Sequence, residues 1–418
     1  MMSQAFYTGI SGMKSSQYAI DVVSDNLANV STVGFRGYET EFSSMFGDMI
    51  GTSGGGSVDS SVGVGATLSS TSMMQANGSL FLSDKSTDLA IDGDGWFGVK
   101  TDGDPVYTRD GTFTFDSNSD LVTHDGYHVL GVMGGNISND VLTGVLDDVP
   151  LGNVASQEAL NFPQSLTYPA EPSTLATFIG NIGTDDETRT MGAGVVDANG
   201  ERNQLKLTFT QAATQVLPGS QWDVVATTET LDGTTIYDTQ TGSVSFDSSG
   251  TIESSTLSSI DNNGTSVTID IGSGATGVVS YSNSDISSSS ISNGVIAGDL
   301  FGYDINSNGE VVASFTNGLQ SSVGQIGVYH FQNDQGLNRL NGSRFEQSAN
   351  SGDPFFFTNE AGENVIGAGI VNYKLEGANI EMTYGITELI ILQRSFDANS
   401  KSITTADQMM QKALNMDA

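Results

Sequence analysis

The chain has 418 residues, no cysteine, and a formal net charge of -35 from 14 Lys and Arg against 49 Asp and Glu. That length allows two or three domains with real cores, and the missing thiols exclude disulfides and thiolate metal sites. The charge makes nucleic acid and anionic membrane surfaces poor partners.

The first residues, MMSQAFYTGISGMKSSQ, lack the basic stretch, apolar run and small-residue cleavage site of a signal peptide. No apolar run approaches the ~18 residues that cross a bilayer, so membrane insertion is not expected. The expectation is a cytoplasmic protein, or one exported without a cleaved signal. Phe6, Met13, Ile20 and Leu27 then fall seven apart, with Ile10, Val23 and Val30 on flanking positions. This spacing predicts an amphipathic helix with a coiled-coil type of seam. It is broken by "NLANVSTVGFRG", where Asn26, Asn29 and Gly34 suit unusual backbone turns and Phe35 suits an anchor for the outgoing chain. The stretch reads as a joint, although an ordinary helix end describes the same local geometry.

Residues 51–72, GTSGGGSVDSSVGVGATLSSTS, read as a linker, with Val62, Val64 and Leu68 leaving room for a short extended ribbon. β-structure is expected next. Phe113, Phe115, Leu121 and Val129 follow a strand pattern, and Asp110-Gly111 and Asp125-Gly126 stand where hairpins should turn. A matching stretch turns at Asn308-Gly309 and Asn317-Gly318. Between them, a Ser/Thr/Gly-rich region with strands such as QLKLTFT, QWDVVATTE and GSVSF reads as a separate all-β domain. No Lys or Arg occurs between Lys206 and Arg339.

At the C-terminus Met382, Leu389, Phe396, Ile403 and Met410 are strictly seven apart, and Ile386 and Leu414 extend the pattern. The narrow stripe predicts a helix packed among helices, with Gln393, Ser400 and Asp407 as a polar layer. Isolated helices of this length are marginal in water, so both termini are expected to need partners.

No catalytic grouping emerges. His124 and His128 lie around a strand turn, not at helical spacing, and no metal site is expected there. The acidic loops at Asp116, Asn118, Asp120 and at Asp304, Asn306, Asn308 lack the turn glycine or the closing glutamate of a calcium loop, and read as β-turns. No cofactor and no enzymatic activity are expected.

Three motifs carry a resemblance. SDNLANVSTVGFRG resembles the N-terminal signature of the axial proteins of the bacterial flagellum, the rod, hook and hook-associated family. STDLAIDGDGWFGVKTDGDPVYTRDGTFTFDSNSDLVTHDGYHVLG is similar to that family's β-domain motif, with Trp96 where Phe is usual. LEGANIEMTYGITELIILQRSFDANSKSITTADQMMQ resembles its C-terminal helix, and residues 311–352 look like its hook branch, with Ser348 in place of the usual Thr.

The resemblance implies a mainly β fold with terminal α-helices. Residues 1–34 and 378–418 would form a coiled-coil-like inner domain. Residues 35–74 would connect it to a discontinuous β-domain, 75–155 and 300–377, into which an outer all-β domain, 156–299, is inserted. It further implies self-assembly through the helices into a curved tube that transmits torque from rod to filament, at the cell exterior. Implied partners are the distal rod protein, the hook cap protein, the first hook-associated protein and the flagellar type III export apparatus. The polymerisation interface would be the ten apolar seam positions from Phe6 to Leu27, with Ile10, and from Met382 to Met410. Another axial protein, or less readily a secreted β-rich adhesin, is the alternative.

Overall fold

The computed structural model describes residues 2–47, 62–101, 103–215, 217–282 and 284–416. Among the described residues two α-helices, α1 (Met2–Ala28) and α2 (Met382–Met416), flank a succession of strands, turns and two single-turn 3-10 helices. The α-helices run antiparallel to each other. Gly9 lies against Ile403, Gly12 against Asn399, and the Ser16 and Ser395 hydroxyls are 3.4 Å apart. A side chain at position 9 would place its Cβ 2.6 Å from Ile403 Cγ1, so the crossing requires a residue without one. Glycine inside a helix costs about 1 kcal/mol relative to alanine, a penalty opposed here by close approach.

α1 ends at Ala28, so Val30 falls in the turn that follows rather than on the seam. The residues that alternate with the α2 heptads against α1 are Gly385, Leu392, Asn399 and Ala406. Gln393 and Asp407 of the expected polar layer are exposed and Ser400 is half-buried. The α2 partner belongs to the same chain, and the α1 glycines make room for its Ile403 and Asn399.

Strands β1 (Tyr38–Gly47) and β2 (Val62–Met73) pair antiparallel from Tyr38↔Met73 to Gly47↔Val62, making a long two-stranded ribbon. The ribbon lies on α1, where the Ser15 hydroxyl donates to the Ala66 carbonyl at 3.0 Å. The expected Gly/Ser-rich linker falls partly on this ribbon and partly outside the described residues.

A mixed sheet joins the two distant β-rich stretches. The strand Gln320–Ile326 pairs with His128–Met133, and Val328–Tyr329 with Trp96–Lys100. Its core contains Leu89, Phe97, Phe113, Leu121 and Val129 from one stretch and Ile305, Val311, Val323 and Ile370 from the other. Leu160, Phe162, Leu166 and Tyr168 also enter this core, and the pair Glu158–Ala159 bonds to the strand His128–Met133. The division expected at 155/156 therefore lies inside the first core. Strand pairing recruits residues that composition assigns to the Ser/Thr-rich region.

A second core lies beyond. Arg189–Val196, Arg202–Gln211, Ser220–Thr230, Ile236–Phe246 and Ile252–Ser255 form a meander. It shares Phe178, Phe209, Trp222, Val224, Phe246 and Val267 with a sheet built around Leu175–Asn181. Asp125-Gly126, Asn308-Gly309 and Asn317-Gly318 turn hairpins, each glycine at positive φ. Asp110-Gly111 does not. The strands on either side of it pair elsewhere, and the Gly111 carbonyl instead accepts from the Leu89 N–H at 3.0 Å. In both acidic loops a side chain caps a plain turn: Asp116 accepts from the Asn118 and Asp120 amides, and Asn306 from the Asn308 and Glu310 amides.

Candidate assembly surface and joint

Along the helix pair, Phe6, Met13, Ile20 and Leu27 of α1 are half-buried, as are Leu389, Phe396, Ile403 and Met410 of α2. Ile10 and Met382 are exposed, Met382 at 52%. The expected seam thus lies partly in the α1–α2 contact, where Ile403 packs on Gly9 and Leu27 faces Gly385, and partly open to solvent. Large apolar side chains beside it also face outward, among them Tyr7, Tyr18, Ile386, Ile390, Ile391 and Met409, with Ile391 62% exposed. Apolar surface on this scale marks a contact face.

The joint is a set of bonds between the two ends of the chain. The buried Asn26 amide donates to the Tyr38 carbonyl at 2.7 Å and its oxygen accepts from the Tyr38 N–H at 3.0 Å, as a neighbouring strand would. Asn29 donates back to the Asp25 carbonyl at 2.9 Å, closing the helix end. Gly34 takes φ +65°, and any Cβ there would lie 2.3 Å from the Asp110 nitrogen. Its N–H donates to the Glu376 carbonyl at 2.8 Å. Phe35 is buried, with the Arg339 guanidinium 5.1 Å above its ring. The Gly37 N–H donates to Asn379 Oδ1 at 2.8 Å, so "VGFRG" and "LEGAN" run side by side.

Sequence reasoning missed the centre of this joint. Glu376 Oε2 accepts from Arg109 Nη1 at 3.0 Å, and Glu376 Oε1 lies 3.3 Å from Arg36 Nη2. All three side chains are buried. Oε1 also accepts from the Gly78 N–H, Arg36 donates to Asn77 Oδ1 at 2.8 Å, and Arg109 donates to the Gly93 carbonyl at 2.9 Å. Both guanidiniums sit against the Trp96 ring, at 5.9 and 5.6 Å, and the Trp96 indole donates to Asp334 Oδ1. Burial, and secondarily the Arg36 cation, pulls Arg109 down to about 10, with Glu376 opposing; Arg109 stays charged at neutral pH. The available signal was a lone charge in "GFRG" and an adjacent or near-adjacent opposite pair in "YTRDG" and "KLEGAN", in a chain poor in cations.

Family models match three segments of the chain. Residues 6–36 match "Flagella basal body rod protein", 90–167 match "Flagellar hook protein FlgE/F/G D1 domain", and 372–416 match "Flagellar basal body rod FlgEFG protein C-terminal". The chain belongs to this family of flagellar rod and hook axial proteins. Its full-length relatives carry the name flagellar hook protein FlgE. That of Brucella suis is 29% identical over 98% of this chain and 98% of its own length. That of Borreliella burgdorferi is 26% identical over 99% and 100%, and that of Escherichia coli 25% identical over 99% and 100%. In fold, the crystal structure of the Helicobacter pylori flagellar hook protein FlgE2 superposes with a TM-score of 0.52 at 16% identity, over 71% of this chain and 100% of that one. The chain is a structural subunit of the flagellar hook.

Proposed function

We propose that this subunit self-assembles through its terminal helices into a curved tube, the hook, which acts as a universal joint carrying torque from rod to filament. The observation that supports this reading most directly is the helix pair itself. It brings both chain ends together and leaves apolar residues of both helices, such as Tyr7 and Ile391, facing solvent. A folded monomer gains nothing from that exposure, whereas neighbouring copies of the same pair would bury it.

In this reading Phe6, Ile10, Met13, Ile20, Leu27, Met382, Leu389, Phe396, Ile403 and Met410 form the polymerisation interface, and Asn26, Asn29, Gly34 and Phe35 the joint. The mixed sheet forms the next layer outward and the Ser/Thr-rich domain the outermost. The distal rod protein, hook cap protein and first hook-associated protein would meet the tube at its ends or during growth. Export through the flagellar type III apparatus without a cleaved signal would place it at the cell exterior. Electron microscopy of the purified, concentrated protein tests the assembly. Tubes are expected, and a protein that remains monomeric or forms amorphous aggregate under conditions that polymerise its relatives would refute it.

A further inference from the structure

α1 packs on α2 and on the ribbon, and the Asp25–Arg339 ion pair at 2.8 Å ties it to the mixed sheet. The orientation of the whole helical layer relative to the β-domains therefore depends on the few residues where the chain crosses between them. Several of those crossings involve one residue, Glu376. Glu376 receives the Gly34 N–H on its backbone carbonyl, holding the exit from α1. Its own chain continues into α2 six residues later. Its carboxylate holds Arg36 on the α1 side and Arg109 in the mixed sheet, each from a different oxygen.

We propose that Glu376 is the positioning residue of the joint: with Arg36 and Arg109 it forms a buried ionic latch that locks both helices to the β-domain as one body. Two guanidiniums share one carboxylate in a site closed to water. Neutralising the carboxylate leaves two like charges facing each other, offset only by the weaker fields of Asp94 and Asp334, and the segments that carry them are driven apart. The two largest β-cores do not include the latch, whose guanidiniums sit against Trp96 of a third, smaller cluster. The inference concerns the monomer and holds independently of tube formation.

The absence of cysteine makes a direct test simple. Cysteines introduced at Asn118, in an exposed turn of the mixed sheet, and Gln393, exposed on α2, carry spin labels for a distance measurement on the full chain. In Glu376→Gln the distance distribution should widen at least twofold, and amide exchange at Gly34 and Asn379 should quicken at least tenfold, while the unfolding transition reported by Trp222 stays unchanged. Arg36→Met, which leaves the Arg109–Glu376 pair intact, should widen the distribution less, and it carries the test alone if Glu376→Gln does not fold. Arg344→Met removes an ion pair with Asp125 on the strand paired beside Arg109, without touching the latch itself, and should keep the wild-type width. A wild-type width in Glu376→Gln, or in Arg36→Met where only that variant folds, overturns the proposal. So does equal widening in the Arg344 control.

Discussion

The outer β-domain and the helical layer solve opposite problems with the same chain. The outer domain closes on itself: Trp222, Phe178, Phe209 and Val267 are fully buried between its two sheets, and its turns are capped from within. Asp247, for example, accepts from the Ser249 amide at 2.8 Å and the Thr251 amide at 3.0 Å. The helical layer closes only halfway. The α1 glycines receive Ile403 and Asn399 in the α1–α2 contact, while other large apolar side chains remain on the flanks. The contrast separates stability from assembly. One region holds its fold without neighbours, and the other leaves the surface on which neighbours would act.

The largest effect that would test this contrast is expected from Phe396→Asp. A half-buried phenylalanine on the flank contributes up to ~1.5–3 kcal/mol when a neighbour completes its burial, and a carboxylate there adds a desolvation cost of several kcal/mol. The cost recurs with every added subunit, so tubes should disappear in electron microscopy and motility should be lost. The outer domain should keep its Trp222 transition. Normal hooks from this variant would remove the flank from the assembly surface.

Trp222→Ala makes the converse cut. Emptying a fully buried tryptophan site costs about 3–5 kcal/mol. The outer domain should melt at a markedly lower temperature by calorimetry, while tubes still form with an altered outer layer. Loss of tubes together with the outer domain would mean that the two regions are not separable.

Acid should move the two regions in opposite directions. The Thr251 amide, then its hydroxyl and the other turn donors, hold Asp247 below the usual carboxylate range. A depressed folded pKa contributes stability that is complete above the unfolded value of ~3.9 and lost as pH falls through the lower folded value. Burial, and then the Glu39 carboxylate, raise Glu388 on α2. A raised folded pKa penalises the ionised form, so the helical layer should tighten as pH falls through it, before the outer domain weakens. Hydrogen-exchange protection, corrected for the intrinsic pH dependence of exchange, should rise on α2 as pH falls and drop in the outer domain only at lower pH, and Glu388→Gln should abolish the rise. Protection on α2 that only falls with acid would contradict the assignment.

Asp407→Ala should have the smallest effect. Asp407 is exposed and accepts only from the Gln411 amide, four residues on, at 3.0 Å. Surface changes of this kind stay within about 0.5 kcal/mol, so tube yield should match wild type. A large loss would place a partner on the outward face of α2.

Much of this molecule was determined by local patterns in the sequence. The heptads of Phe6 to Leu27 and Met382 to Met410 specify helices because a 3.6-residue repeat puts those positions on one side. Asn-Gly and Asp-Gly specify turns because glycine accepts positive φ. Asn26, Gly34 and Phe35 mark the joint for similar local reasons. What only the tertiary structure decided are the pairings between distant segments. The strand Val106–Thr108 bonds to Trp96–Lys100 and Arg344–Glu346, which is why Asp110-Gly111 links strands instead of turning a hairpin. Residues 158–168 complete a core whose other half lies beyond residue 300. Arg36, Arg109 and Glu376 become one buried cluster only because the chain returns to its start. A charge is legible in sequence, but its partner across 340 residues is not, since burial and Coulomb attraction act through space rather than along the chain.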